Sequence, residues 1–305
     1  AHPHSRVSYP SNRASSLSGG AGNDLVIPDD AAVQITSPEA NEGIALVEFE
    51  SQVSDINLAV GGDAPVKVQG DAVTNSVVRP VAAAGETAEI IFETTKVEGV
   101  TIVNEGEGAV DIEVSSGTFK SGTIDLTGSS GADTDAITFG ESTKLVKSEI
   151  ALGENSELNF ETNKVQALTI TSTGDGSVDL SVTKGTFKKS TIDLSEATSK
   201  DSISFGGDTK VIKTQISLGT GKDTVTFDAG IKLKGDTAIR VGDGRDAIKV
   251  PSSAKGSGRI GISNFSKKDR LVVDGKKMSG SKIYDGRKEI PDFIVIEFED
   301  GKLVG

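Results

Sequence analysis

The fold class this sequence predicts is an all-β parallel β-solenoid, and three observations predict it. A long internal echo returns at a fixed interval, a short strand pattern recurs about every 22 residues inside it, and the composition favours strands and tight turns. Gly 36, Pro 8 and abundant Thr, Ser, Val and Asp suit short strands joined by turns better than helices.

The echo is read directly from the residues. Phe92-Glu93-Thr94-Thr95-Lys96-Val97 returns 68 residues later as Phe160-Glu161-Thr162-Asn163-Lys164-Val165. Gly117-Thr118-Phe119-Lys120 returns as Gly185-Thr186-Phe187-Lys188, and Thr123-Ile124-Asp125-Leu126 as Thr191-Ile192-Asp193-Leu194, in the same register.

In chain order, residues 1–18 come first, with Arg6, Arg13, Pro3, Pro10 and no acid, a composition that predicts an unstructured arm. Residues 19–274 carry the solenoid. Strands with an apolar last residue end at Ile27, Phe49, Val68, Phe92, Val114, Phe139, Phe160, Val182, Phe205, Phe227, Val250, Val273 and Ile296, with a mean step near 22.4 residues. Segments such as Asp223-Thr224-Val225-Thr226-Phe227 alternate polar and apolar residues with period two, as a strand with one buried face must. A second strand ends near Leu126, Leu152, Ile170, Leu194, Leu218, Val241 and Ile262, so each coil holds at least two.

Such a coil cannot bury its apolar face alone, whereas stacked coils share one narrow core. About 13 coils at about 4.8 Å per strand would make a rod on the order of 60 Å long. Phe92, Phe139, Phe160, Phe205 and Phe227 share one coil position and are expected to form an internal column. From residue 275 to 305 the spacing changes, and Ile290–Ile296 followed by Asp300-Gly301 and Leu303-Val304 reads as a strand, a turn and a short strand capping the last coil.

Several chemistries are excluded by composition. There is no cysteine, and the only histidines are His2 and His4, which removes thiol nucleophiles, zinc-thiolate sites and a Ser-His-Asp triad from the repeat region. A net charge of −13 is repelled by phosphate backbones and anionic membranes, so neither nucleic acid nor membrane is expected as a partner. No stretch approaches the roughly 20 apolar residues of a membrane span, and the given N-terminus lacks the apolar core of a signal peptide, so the chain is expected to be soluble.

Gly19-Gly20-Ala21-Gly22-Asn23-Asp24-Leu25-Val26-Ile27 resembles one nonapeptide of the repeats-in-toxin (hemolysin-type calcium-binding repeat) family, in degenerate form. Leu218–Phe227 and Val241–Val250 keep two glycines and the aspartate, and Ile262–Val273 is similar to the segment that closes such arrays. The resemblance covers about a quarter of the chain and implies Ca2+ held by carboxylates and backbone carbonyls in glycine-rich turns. By position it implies Asp24 with Gly20 and Gly22, Asp223 with Gly219 and Gly221, and Asp246 with Gly242 and Gly244, Asp243 adding a carboxylate.

The coil is longer than the family's paired nonapeptides, and most coils lack the glycines. Lys200, Lys222, Arg245 and Lys268 each directly precede an aspartate in successive coils. Stacked carboxylates about 5 Å apart repel. Calcium or this Lys/Arg ladder would neutralise the column.

The expected function is that of a non-enzymatic structural or adhesive surface protein, self-packing or displayed on a cell or virion, and hence extracellular. Its partners would be copies of itself or a larger protein assembly engaged through the N-terminal arm. A virion accessory subunit, such as a head decoration or fibre anchored by that arm, is the alternative. An enzyme acting on polysaccharide is a third class, for which a chain with no Trp and only Tyr9 and Tyr284 offers few sugar-stacking platforms.

Overall fold

The computed structural model describes residues 7–8, 15–17, 23–27, 33–35, 44–49, 52–60, 65–129, 133–256, 258–279, 293–299 and 302–303, with side chains for 52–60, 65–129, 133–256, 258–277 and Ile296. Among the described residues the chain is all strand and turn. It is a parallel β-solenoid of about nine turns with a spacing of about 23 residues. The chain divides into two compact units, 1–153 and 154–305.

From Val66 on, each coil of the first unit contributes one long and one short strand. Strand Thr87–Glu98 lies between Val66–Thr74 and Ala109–Lys120, parallel to both, while Thr101–Val103 lies between Val77–Pro80 and Thr123–Asp125. The second unit repeats this plan, with Val178–Lys188 pairing parallel to Ser202–Ile212, and Thr191–Asp193 to Gln215–Ser217. Alternation explains both strands: Ala88, Ile90 and Phe92 point inward, and Glu89 and Ile91 between them do not.

The alternation breaks at a bend within the long strand, where Gly117 (φ 83°) and Gly185 (φ 84°) occupy equivalent places in the 68-residue echo. A Cβ at Gly117 would lie 2.2 Å from the Thr94 carbonyl oxygen, and one at Gly185 2.1 Å from that of Thr162. The glycines therefore permit both the turn and the coil spacing.

The corner between long and short strands is left-handed in successive coils. Asp55, Asn75, Gly99, Ser121 and Lys147 occupy it in the first unit, with φ between 47° and 65°, and Ala167, Lys189, Lys213 and Gly235 in the second. Its N–H donates to the next coil, as from Ser121 to the Val146 carbonyl (3.0 Å) and from Lys189 to that of Ile212 (2.8 Å). That bond holds non-glycine residues in a conformation they otherwise avoid.

The phenylalanine column is buried. Phe119 meets Phe139 edge-on at 5.9 Å in the first unit. In the second, Phe187 enters the column and meets Phe160 at 6.0 Å and Phe205 at 5.6 Å, both edge-on, while Phe205 stacks on Phe227 at 5.3 Å. These contacts add to the area the rings bury.

The ends differ from the expected scheme. Within residues 1–18, Val7–Ser8 pairs parallel to Asn23–Ile27, and Ser15–Leu17 to Val33–Ile35. Ile296 ends no further coil, because its strand Phe293–Glu299 runs antiparallel to Gly258–Ser263, as does Lys276–Ser279 to Arg270–Val273. These reversals terminate the parallel ladder, and Lys302–Leu303 adds a short antiparallel strand to Phe293–Glu299.

Candidate functional site

The conspicuous cluster of chemistry-bearing residues is a column of aspartates at the entrance to the long strands. In Asp201-Ser202-Ile203-Ser204-Phe205, Asp201 has the parity of Ile203 and Phe205, so the pleat turns all three inward. Asp223, Asp246 and Asp269 share this placement in the next coils, as does Asp135 in the first unit. Asp201, Asp223, Asp246 and Asp269 are fully buried, and Asp135 is 1% exposed.

Each carboxylate bonds to the preceding coil. Oδ1 of Asp201 accepts the Val178 N–H (2.9 Å), that of Asp223 the Asp201 N–H (2.8 Å), that of Asp246 the Asp223 N–H (2.9 Å), and that of Asp269 the Asp246 N–H (3.0 Å). In the first unit Asp135 accepts the Val110 N–H at 2.8 Å. These side chains supply acceptors to buried N–H groups.

The second oxygens fare differently. Oδ2 of Asp135, Asp201, Asp223 and Asp246 is buried with no hydrogen-bond partner. Oδ2 of Asp269 accepts the Ser266 N–H at 2.6 Å. Burial pushes the Asp201 carboxyl up to about 7 against the Val178 N–H, with the Asp223 carboxylate adding to the rise. Burial likewise pushes Asp246 up to about 7, helped by Asp223, Asp269 and Asp243, and Asp135 up to about 6, helped by Asp133. Asp223 is also raised by burial. A proton on the unpartnered oxygen relieves the desolvation that ionisation would impose.

The glycines before two of these aspartates also serve coil stacking. A Cβ on Gly242 would sit 1.6 Å from the Gly219 carbonyl oxygen, and one on Gly244 1.9 Å from that of Gly221. Those carbonyls accept N–H groups from Asp243 (3.1 Å) and Arg245 (3.2 Å). Thr220–Gly221 and Asp243–Gly244 pair as two short parallel strands.

The structure thus places Asp223 and Asp246 in one ladder and leaves Asp243 exposed. Gly20 and Gly22 lie outside the described residues. Asp24 lies in strand Asn23–Ile27 opposite Leu46. Among the described residues no three acidic or histidine side chains converge as a metal-binding group.

The Lys/Arg ladder does not neutralise the column. Lys200, Lys222, Arg245 and Lys268 have the opposite parity and are exposed. Sequence reasoning missed the inward direction of the aspartates, although their even spacing from the apolar strand residues carried that signal.

The fold defines a class, the parallel β-solenoids. No family model matches the chain, and no curated protein or solved structure matches it.

Proposed function

We propose that the chain is a non-enzymatic structural or adhesive surface protein, extracellular and displayed on a cell or virion in packed copies. The observation that carries this reading is the use made of its polar turn residues. The buried carboxylates and close-packed glycines join one coil to the next, leaving the outward strand positions as repeating in-register ladders. A scaffold that displays surfaces requires that division of labour.

Electron microscopy of the native source with antibody labelling tests it. Labelled, regularly spaced arrays on a cell or particle are expected; a dispersed monomer that depolymerises a polysaccharide would overturn the reading. Labelling confined to virions would select the accessory-subunit alternative. In that case deleting residues 1–18 should abolish incorporation, while circular dichroism loses no more than the signal of the two short strands Val7–Ser8 and Ser15–Leu17.

The resemblance to calcium-binding repeats supports a second reading, and the unpartnered Oδ2 atoms of Asp223 and Asp246 are its structural motive. Calcium bound only to the folded form would raise the unfolding midpoint with its concentration. Equal midpoints in millimolar calcium and in chelator would remove it.

A further inference from the structure

A face of the second unit bears a line of lysines. Beyond the bend, Val165, Phe187, Val211 and Leu233 point inward and are nearly or fully buried, which turns the residues on either side of them outward. On one side, Lys164 pairs in register with Thr186, Thr186 with Lys210, Lys210 with Lys232, and Lys232 with Lys255. On the other, Gln166 pairs with Lys188, Lys188 with Ile212, and Ile212 with Lys234. Lys189 and Lys213 extend the stripe at the left-handed corner. The Lys213 stem lies across the next coil, with Cγ 3.1 Å from where a Cβ on Gly235 would stand.

No acid interrupts either column. The exposed acids bordering the stripe, Asp208 and Asp236, stand opposite Lys184 and Arg259. Among the described residues no ion pair joins any lysine of the stripe to a carboxylate. Like charges directly opposite across parallel strands repel. In the first unit the corresponding repulsion is relieved by Glu98, which binds Lys96 and Lys120, both at 2.5 Å. Among the described residues the stripe has no such internal anion, so an external polyanion can supply its counter-charge.

We propose that this stripe is a docking surface for a linear acidic polysaccharide carrying carboxylate or sulfate groups. The columns run along the stacking direction, and in the first of them Lys210, Lys232 and Lys255 place ammonium groups about every 4.8 Å in a line rather than over a plane. That repeat is close to the rise of one sugar in an extended 1,4-linked chain. Lysine is a point charge suited to separate carboxylates or sulfates, and the columns contain neither an arginine fork nor an aromatic platform for a base. Within a Debye length of about 8 Å the stripe outweighs the distant negative charge of the chain. The inference gives the adhesive reading above its ligand class and rests on that reading.

The test is binding of the full chain, at low and physiological salt, to immobilised polygalacturonate, heparin, neutral dextran and oligodeoxythymidylate. Salt-sensitive binding to polygalacturonate or heparin, and not to dextran, is expected; preference between them identifies the anion. The stripe variant Lys210→Gln/Lys232→Gln/Lys234→Gln/Lys255→Gln, with circular dichroism confirming its fold, should weaken binding at least tenfold. The equally charged control Lys200→Gln/Lys222→Gln/Lys267→Gln/Lys268→Gln should not. Absence of binding to either acidic polysaccharide, equal loss in both variants, or tighter binding of oligodeoxythymidylate would overturn the proposal. Lost polysaccharide binding with arrays intact in the native source removes this inference and leaves the surface reading standing.

Discussion

The two units use the same carboxylate device to different extents. At the entrance to Ala109–Lys120 the first unit places a buried carboxylate, Asp135, on the Val110 N–H at 2.8 Å, and the turn before it is held by a neutral amide, Asn104, which accepts the Gly106 N–H at 2.9 Å and donates to Ser129 Oγ at 2.7 Å. In the second unit the Asp135 arrangement recurs in successive coils, from Asp201 through Asp269. The geometry fixes where a partner is needed and leaves its protonation behaviour open. Asn104 stays uncharged at every pH, whereas the carboxylates combine hydrogen bonding with sensitivity to protons.

The largest effect should come from the core that both units share. Phe187→Ala removes a ring held edge-on between Phe160 and Phe205, and should cost about 3–5 kcal/mol in denaturant unfolding because coils fixed by their strand ladders cannot collapse into the gap. Phe119→Ala should act similarly in the first unit. A loss below 1 kcal/mol at Phe187 would contradict the continuous column.

The carboxylate ladder separates the units more sharply. Asp223→Ala leaves the buried Asp201 N–H without its acceptor and should cost about 1–3 kcal/mol. Asp223→Asn preserves an acceptor without the charge and, because burial raises the Asp223 carboxyl, should gain stability relative to wild type as pH rises. A pH-independent loss for the asparagine variant would show that the carboxylate is held ionised.

The wild type should show the corresponding pH dependence. The folded-state values of Asp201 and Asp246 are raised to about 7, so the folded form holds more protons than the unfolded form above the ordinary carboxylate value of about 4. Their contribution is therefore present at acid pH and is lost as pH rises through about 7. Thermal midpoints should fall between pH 5 and pH 8, and Asp201→Asn/Asp246→Asn should flatten the slope. Asp135, raised to about 6, gives the first unit a smaller and more acidic version.

The smallest effects concern corners and surface. Ala167→Gly relieves a φ of 55° and should stabilise by about 1 kcal/mol, measured by urea unfolding. The exposed bridges of Glu98, whose carboxyl is held down at about 2 by Lys120 and Lys96, should contribute only a slight midpoint shift in Glu98→Gln. That shift should vanish in high salt.

The solenoid was legible because its signals are periodic. The echo that pairs Gly117 with Gly185 also pairs two backbone bends, and alternation correctly places Phe92, Phe160 and Phe227 inside. The antiparallel direction of the strand holding Ile296 was not legible, since an alternating strand has the same pattern in either direction. At the aspartates, a turn motif was read by its familiar ligands while parity pointed inward. The lysine stripe escaped because net charge averages over the chain, although Lys210, Lys232 and Lys255 recur one coil apart.

The carboxylate ladder also gives the second unit a direction of growth. Asp269 is satisfied within its own coil by the Ser266 N–H, beside strands already closed by antiparallel partners. Every earlier coil in the ladder waits for an acceptor from the coil that follows it. The capped C-terminal end is therefore the natural template, and refolding should spread from it toward the N-terminal side, each coil offering the carboxylate that receives its predecessor. Synthesis releases the coils in the opposite order, so each of these N–H groups lacks its acceptor until the following coil has emerged.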